Sequence, residues 1–155
     1  MGETGKDSDT RLDLKYVLKR REVMHEHEVK VRFCETDLLG HVNNNNFFVY
    51  MEDARIQFIR DLQLVDGDWS FILASINCDF IKQVFFGQTL TIKSHISKIG
   101  NSSFHLEQEH YEKESGQLVA KGSSVLVHFD FKNQTSTPLS EAMKEKLQSH
   151  SLAAK

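Results

Sequence analysis

Between residues 34 and 48 the chain reads CETDLLGHVNNNNFF. A carboxylate at Asp37, an imidazole at His41 and asparagines at 43–46 stand directly before a strongly apolar segment. Asp and His are side chains that move protons near neutrality or attack an electrophilic carbon. Asn is among the best residues for opening a helix. A helix opening presents unpaired backbone N–H groups and partial positive charge. A carboxylate beside such an N-terminus could serve a reaction that develops an oxyanion. The same residues also suit an ordinary loop that caps a helix, and spacing alone does not separate the two.

Other groupings carry less. His25 and His27 would share one strand face, as metal ligands can, but no third ligand stands nearby in the sequence, and a solvated polar face accounts for them. Cys34 with His41 would suggest a thiol nucleophile. Cys34 closes an apolar strand, however, and burial makes a thiol inert.

The elements that must position these residues follow from periodicity. Val29, Val31 and Phe33 alternate with Glu28, Lys30 and Arg32, which predicts a half-buried strand running from about Val23. Residues 15–21 extend it or stay irregular, and residues 36–43 form a loop marked by Gly40. Phe47, Met51, Ala54, Phe58 and Leu62, with the adjacent row Phe48, Arg55 and Ile59 and Tyr50 nearby, predict a helix from about Asn44 to Leu62. Its apolar sector is wide, so it should be covered on more than one side. Asp66-Gly67-Asp68 ends the segment as a turn. Residues 71–80 begin apolar on both faces, which predicts a central strand. A strand at 89–99 is followed by one placing Phe104, Leu106, Gln108 and His110 on one face, then by one at 117–131 with Val125, Val127, Phe129 and Phe131 on one face and a bulge at Gly122. Pro138 precedes a short helix at 139–148. One strand, a long helix and four strands with hairpin-length connections predict an antiparallel sheet packed on the helix, an α+β domain. The domain is expected over 15–150, with flexible tails at 1–14 and 151–155.

Bulk properties narrow the function. The chain has 155 residues, enough for a core without disulfides or metal, and is 39% hydrophobic and 26% charged. A net charge of −3 provides no basic field for nucleic acid. Cys34 and Cys78 are expected as buried free thiols in a reducing compartment. The opening MGETGKDSDTRLDL lacks the apolar region of a signal peptide, and Lys6 stands where a myristoylation pattern wants Ser or Thr. No apolar run approaches membrane-spanning length. A cytoplasmic protein with no nucleic-acid or membrane partner is expected.

The stretch ETDLLGHVNNNNFFVYMEDAR resembles the signature of the hot-dog-fold acyl-CoA thioesterases of the 4-hydroxybenzoyl-CoA thioesterase type. The matching parts are Glu35-Thr36-Asp37, Gly40-His41-Val42-Asn43-Asn44 and Glu52-Asp53-Ala54-Arg55. A weaker resemblance covers roughly 27–131, including CDFIKQVFFGQTLTI and SKIGNSSF. It implies a hot-dog fold, a curved five-stranded antiparallel sheet wrapped around one long central helix. It also implies hydrolysis of a fatty or aromatic acyl-CoA to free acid and CoA. Asp37 would be nucleophile or general base, and the Asn44 backbone N–H would contact the thioester oxygen, with Asn43 as the helix cap. In plant-type acyl carrier protein thioesterases an Asp-x-Asn-x-His array is catalytic. Here Leu39 holds the Asn position, which leaves His41 either an assisting or a structural role. Some related hot-dog enzymes carry a catalytic Glu on the helix, which makes Glu52 a fallback, with a surface or interface ion pair as its preferred reading.

Phe47, Tyr50 and Phe80, with Phe48, Phe58, Phe85 and Phe86, provide surface for the acyl group. Lys82, Lys98 and Ser103, with Lys121 and Ser102, are candidates for the coenzyme A phosphates. No metal or other cofactor is expected, coenzyme A being part of the substrate. A homodimer or homotetramer is implied, with edge strands pairing and residues 75–80 facing a partner's Asp37 loop. Two competing functions share the fold. A hydratase or dehydratase would need an Asp-x-Asn-Pro-x-x-His or His-Phe-Pro-Gly-His pattern, and the only proline is Pro138. A non-catalytic acyl-CoA sensor would have little use for Asp37, and no DNA-binding region is appended.

Overall fold

Antiparallel pairing organises the molecule. In the computed structural model, which describes residues 7–152, the elements are α1 (Asp7–Val23), β1 (His25–Lys30), α2 (Asn44–Asp61), β2 (Phe71–Phe80), β3 (Thr89–Ile99), β4 (Ser103–Glu112), β5 (Leu118–Asp130), β6 (Thr135–Ser136) and α3 (Glu141–Gln148). The sheet order is β1-β3-β4-β5-β2, with the short β6 added to β5. The expected α+β architecture is present, with five main strands curled on α2.

Helix α2 begins at Asn44 as its spacing predicts, because Asn43 caps it with a side-chain oxygen that accepts from the Asn45 N–H. Its buried stripe includes Phe47, Met51, Ala54 and Phe58. Phe47, Tyr50 and Ala54 pack with Leu90, Ile92 and Ala120 toward the helix N-terminus. Phe58 and Ile59 pack with Ile96, Phe104, Leu126 and α3's Leu147 toward its other end. Two His–Asp pairs join β1 to the helix, with His25 Nε2 2.7 Å from Asp61 and His27 Nε2 2.8 Å from Asp53. These histidines therefore face α2 instead of forming a solvated polar face.

Several expectations are corrected. Residues 7–14 are helical where a tail was expected, and 15–21 continue that helix rather than β1. The run has no period of two and is rich in Leu, Lys and Arg, good helix formers. Arg20 holds α1 against the sheet through paired bonds to Glu109 at 2.9 and 3.0 Å. Residues 1–6 and 153–155 lie outside the described residues. Ser151 is buried and bridges to Ile96, so the domain extends past 150. After Val31 the chain leaves the strand in a tight turn at Phe33–Glu35, which turns both Phe33 and Cys34 outward. Cys78 is half-buried, and burial pushes its thiol up to about 11.

Strand β2 is an edge strand, not a central one. Its pairing to β5 skips Ala74, so the inward positions change from Phe71 and Leu73 to Ile76, Cys78 and Phe80. The doubly apolar run at its start reflects this switch. β2 and β3 do not form a hairpin, since β2 lies beside β5 and residues 81–88 cross the end of the sheet. On β5, Ala120, Gly122, Ser124 and Leu126 face α2, while Val125, Val127 and Phe129 take the outer, half-exposed face. Gly122 keeps regular pairing to Cys78 and Gln108. It is small because Met51 needs the space: a Cβ there would lie 2.6 Å from the Met51 sulfur.

Candidate active site

The loop from Thr36 to Asn43 is tied at both ends. Thr36 bridges to Val42, the Asp37 N–H donates to the His41 carbonyl at 2.7 Å, and the Gly40 N–H donates to the Asp37 carbonyl at 3.0 Å. The turn needs a left-handed residue at Gly40, whose φ is +79°. Asp37 Oδ1 accepts from the backbone N–H groups of Leu39 at 2.8 Å and His41 at 3.2 Å. Oδ1 is thus held by the loop, while the carboxylate remains solvent-exposed. The crossing segment supports the loop from outside. His41 bridges to Phe85, their rings stand edge-on at 5.1 Å, and the Val42 N–H donates to the Val84 carbonyl at 2.8 Å.

Glu35 supports the loop from inside. Its buried carboxylate accepts from the Arg32 backbone N–H at 2.7 Å and from Arg32 Nη2 at 3.2 Å. Burial alone would raise the acid, but the Arg32 hydrogen bonds outweigh it and hold the carboxyl below its usual range. The Glu35 carbonyl accepts the Asn43 N–H at 2.8 Å, which places the cap residue. Asn43 in turn occupies the next free donors of the helix: its side chain takes the Asn45 N–H at 3.1 Å and its carbonyl the Asn46 N–H at 2.8 Å. The Asn44 N–H finds no acceptor among the described residues. An anchored carboxylate and a free helix N–H therefore share one short, tied segment. Acyl transfer uses a base or nucleophile together with an oxyanion donor, and this segment carries a group of each kind.

Apolar surface lies behind the junction. The Phe47 ring stands 6.0 Å from Tyr50, 5.4 Å from Phe80 and 5.8 Å from His110, and Phe80 also touches Phe48 at 6.3 Å. Burial, then the nearby Glu35 charge, pushes the Tyr50 hydroxyl upward. Asp37, His41, Asn43 and Asn44 are thus brought together, with Phe47, Tyr50 and Phe80 adjoining. Lys82 lies two residues beyond Phe80, where its N–H donates to the Val119 carbonyl at the same end of the sheet. Lys98 and Ser103 are not brought there within one protomer. They flank the β3–β4 turn, and the path along β3 from Thr89 to Lys98 is about 30 Å at the usual strand rise. Lys121 pairs between Asp79 and Glu109 on the outer face.

Three buried residues had no assigned role in the pattern reading. In the sequence Glu35 stands out only as part of the Glu-Thr-Asp run. Gln108 donates from Nε2 to the Met51 carbonyl at 3.1 Å and to Ser94 Oγ at 3.3 Å, tying the sheet centre to mid-helix. His110 lies beneath Phe47. The available signal was the presence of Gln108 and His110 on the same strand face as Phe104 and Leu106, polar groups at core positions. Arg55 is also buried, and that burial lowers its affinity for a proton against the opposing influence of Glu52.

Among the described residues no group of three His, Cys, Asp or Glu side chains could hold a metal ion, and no helix is long and apolar enough to cross a membrane. Known proteins share the sequence and fold of this chain. YsmA of Bacillus subtilis is 32% identical over 124 residues, covering 77% of this chain and 82% of that protein. The long-chain acyl-CoA thioesterase FadM of Escherichia coli is 26% identical over 125 residues, covering 78% and 95%. A thioesterase of Thermus thermophilus, solved with coenzyme A and Zn, superposes with a TM-score of 0.69 at 33% identity, covering 79% of this chain and 96% of that one. The family model of the thioesterase-like superfamily matches residues 31–147, from the end of β1 into α3, and the chain belongs to that superfamily.

Proposed function

We propose that this protein hydrolyses acyl-CoA thioesters, releasing a fatty or aromatic acid and coenzyme A. The observation that carries the reading is the junction itself, where the exposed Asp37 carboxylate is held by the amides of Leu39 and His41 close in sequence to the unpaired Asn44 N–H. The Asn44 N–H would polarise the thioester carbonyl and receive charge as the carbon becomes tetrahedral. Asp37 would act in one of two ways. As general base it takes a proton from water, the hydroxide attacks the carbonyl, and the C–S bond breaks with the proton passing to the CoA thiolate. As nucleophile its oxygen attacks, CoA thiolate leaves, and water cleaves the mixed anhydride to acid and free Asp37. Both routes consume only water, and neither calls for a metal or other cofactor.

In this reading His41, packed edge-on against Phe85, orients the loop. Phe47, Tyr50 and Phe80 line the acyl pocket, and Lys82 stands at the mouth for a phosphate. The acyl-CoA activity of FadM and the coenzyme A in the Thermus structure support an acyl-CoA substrate. Lys98 and Ser103 would contribute only across a homodimer or homotetramer.

The test is CoA release from short, medium, long and aromatic acyl-CoAs by the native protein and by Asp37→Asn. Native turnover is expected, with a loss of roughly 10²–10⁴-fold in the folded variant, the usual contribution of a positioned acid–base group. Tight acyl-CoA binding without turnover in either protein would replace the enzyme reading with that of a sensor.

A further inference from the structure

The inner face of the sheet contains a buried imidazole, His110, that the proposed hydrolysis leaves unused. Across β2, β5, β4 and β3 the pairing aligns Phe80, Ala120, His110 and Ile92. Ala120 contributes only a methyl, so the sheet floor is shallow between the larger Phe80 and His110. The Phe47 ring fills that slot, 5.4 Å from Phe80 and 5.8 Å from His110. Phe47 belongs to the first turn of α2, which also carries the free Asn44 N–H. Phe80 lies on the edge strand and is 44% exposed, so the slot adjoins the open side of the sheet.

His110 is 0% exposed, and neither ring nitrogen has a hydrogen-bond partner. Neighbouring inward positions on β4 differ: Phe104 and Leu106 are fully buried hydrocarbons, and the polar Gln108 has its amide nitrogen bonded although its Oε1 has no partner. Other described side chains leave one buried polar atom open, but His110 alone leaves two, and a buried imidazole with both nitrogens open calls for a partner. Burial keeps the ring neutral, pushing it down to about 4. A neutral imidazole has one donor and one acceptor. That pair matches a hydroxyl, which both gives and accepts, or a keto oxygen, which accepts. A carboxylate would bring an uncompensated charge into a dry slot.

We infer that His110 is a specificity-determining residue of the acyl pocket, hydrogen-bonding a hydroxyl or keto oxygen on an acyl group that lodges above Ala120 where the Phe47 ring now stands. Phe47 yields the slot by changing rotamer toward the open edge beside Phe80. The protein then favours oxygenated acyl groups over plain hydrocarbon of the same size. This rests on the thioesterase reading of the Asp37 junction.

The experiment compares kcat/KM on two matched pairs, hydroxyoctanoyl-CoA with octanoyl-CoA and hydroxybenzoyl-CoA with benzoyl-CoA. The proteins are the native chain, His110→Phe, which keeps a ring of similar size, and His110→Gln, which restores a donor and an acceptor. The native protein is expected to favour the oxygenated member of at least one pair by about tenfold or more, the ratio that one buried hydrogen bond supports. His110→Phe should lose that preference by losing turnover of the oxygenated member alone, and His110→Gln should recover part of it. Equal turnover of both members in both pairs by the native protein overturns the inference, as does a preference that survives His110→Phe; in those cases the ring nitrogens are served by buried water. Absence of all turnover strikes the thioesterase reading instead. His110 is then judged by thermal shifts of the native protein with hydroxyoctanoate and octanoate, where equal shifts overturn the assignment and a larger hydroxyoctanoate shift, lost in His110→Phe, supports it.

Discussion

His110 also has a cost that can be read without substrate. Its folded-state value is pushed down to about 4 by burial, while an unfolded histidine titrates near 6.5. Between those values the unfolded chain takes a proton that the folded chain refuses. Stability is therefore complete above about pH 6.5 and falls as the pH drops toward 4, by about 3 kcal/mol at the lower end. His95 is lowered by burial as well and adds to the slope in the same direction. Glu35, Glu109 and Asp61 are held below their usual range, so their losses belong to more acid solution. The window from about pH 6.5 to 5 is thus a histidine window. Urea midpoints measured from pH 7 to pH 5 should fall for the native protein and fall much less for His110→Phe. Parallel slopes for the two proteins would show that another histidine governs the window.

Among the elements, α2 and β5 approach most tightly where Met51 meets Gly122. Met51 lies over Gly122, where a Cβ would stand 2.6 Å from its sulfur and 3.0 Å from the Asn77 carbonyl. Gly122→Ala should cost about 1–3 kcal/mol through overpacking. Met51→Ala should cost about 2–5 kcal/mol through the cavity it leaves. The double variant should be more stable than the sum of those losses implies, because each change relieves the other. Denaturant unfolding of the four proteins checks this, and additive losses would mean that Met51 swings clear of Gly122. The helix side of this contact was legible from the 3.6-residue spacing of Phe47, Met51, Ala54 and Phe58. The strand side was not, since a lone Gly in a strand reads equally as a bulge or as a close approach. β2 misled for a related reason. Skipping Ala74 puts Phe71 and Leu73, then Ile76 and Cys78, on the same inner face, and a linear pattern shows this as apolar on both. α1 lacks either period, and its docking uses Arg20 on Glu109 and the Val23 carbonyl on His150, pairings 89 and 127 positions apart that no local pattern reveals. The Asp37 loop was legible because its chemistry is consecutive, while Glu35 and His110 gain their roles only from packing.

At the scale of the whole molecule, the edge strand β2 is the unfinished part. The ten-residue strand Phe71–Phe80 has β5 on one side only, and the strand and its exit expose Leu73 at 41%, Phe80 and Ile81. A long apolar edge left open is a template for uncontrolled pairing. We propose that a second copy closes it, β2 against β2 about a two-fold axis, which makes the pairing self-complementary and self-limiting. In the homodimer that the family resemblance implies, residues 75–80 would face the partner's Asp37 loop, so assembly and turnover should be lost together. Leu73→Lys separates the two effects. Leu73 lies on the inner side of β2 but is 41% exposed in the protomer, so the change should cost the isolated fold only about 1 kcal/mol. At a paired edge it places two like charges near one axis and should dissociate the assembly. Sedimentation of the native protein at micromolar concentration is expected to show two chain masses, or four for a homotetramer, and the folded Leu73→Lys variant one. Its kcat/KM on the best acyl-CoA should fall by at least about tenfold and recover as protein concentration rises, since mass action repopulates the dimer. A native protein that sediments as a single chain while turning over substrate would rule out the shared site, and so would an undiminished dimer in the variant.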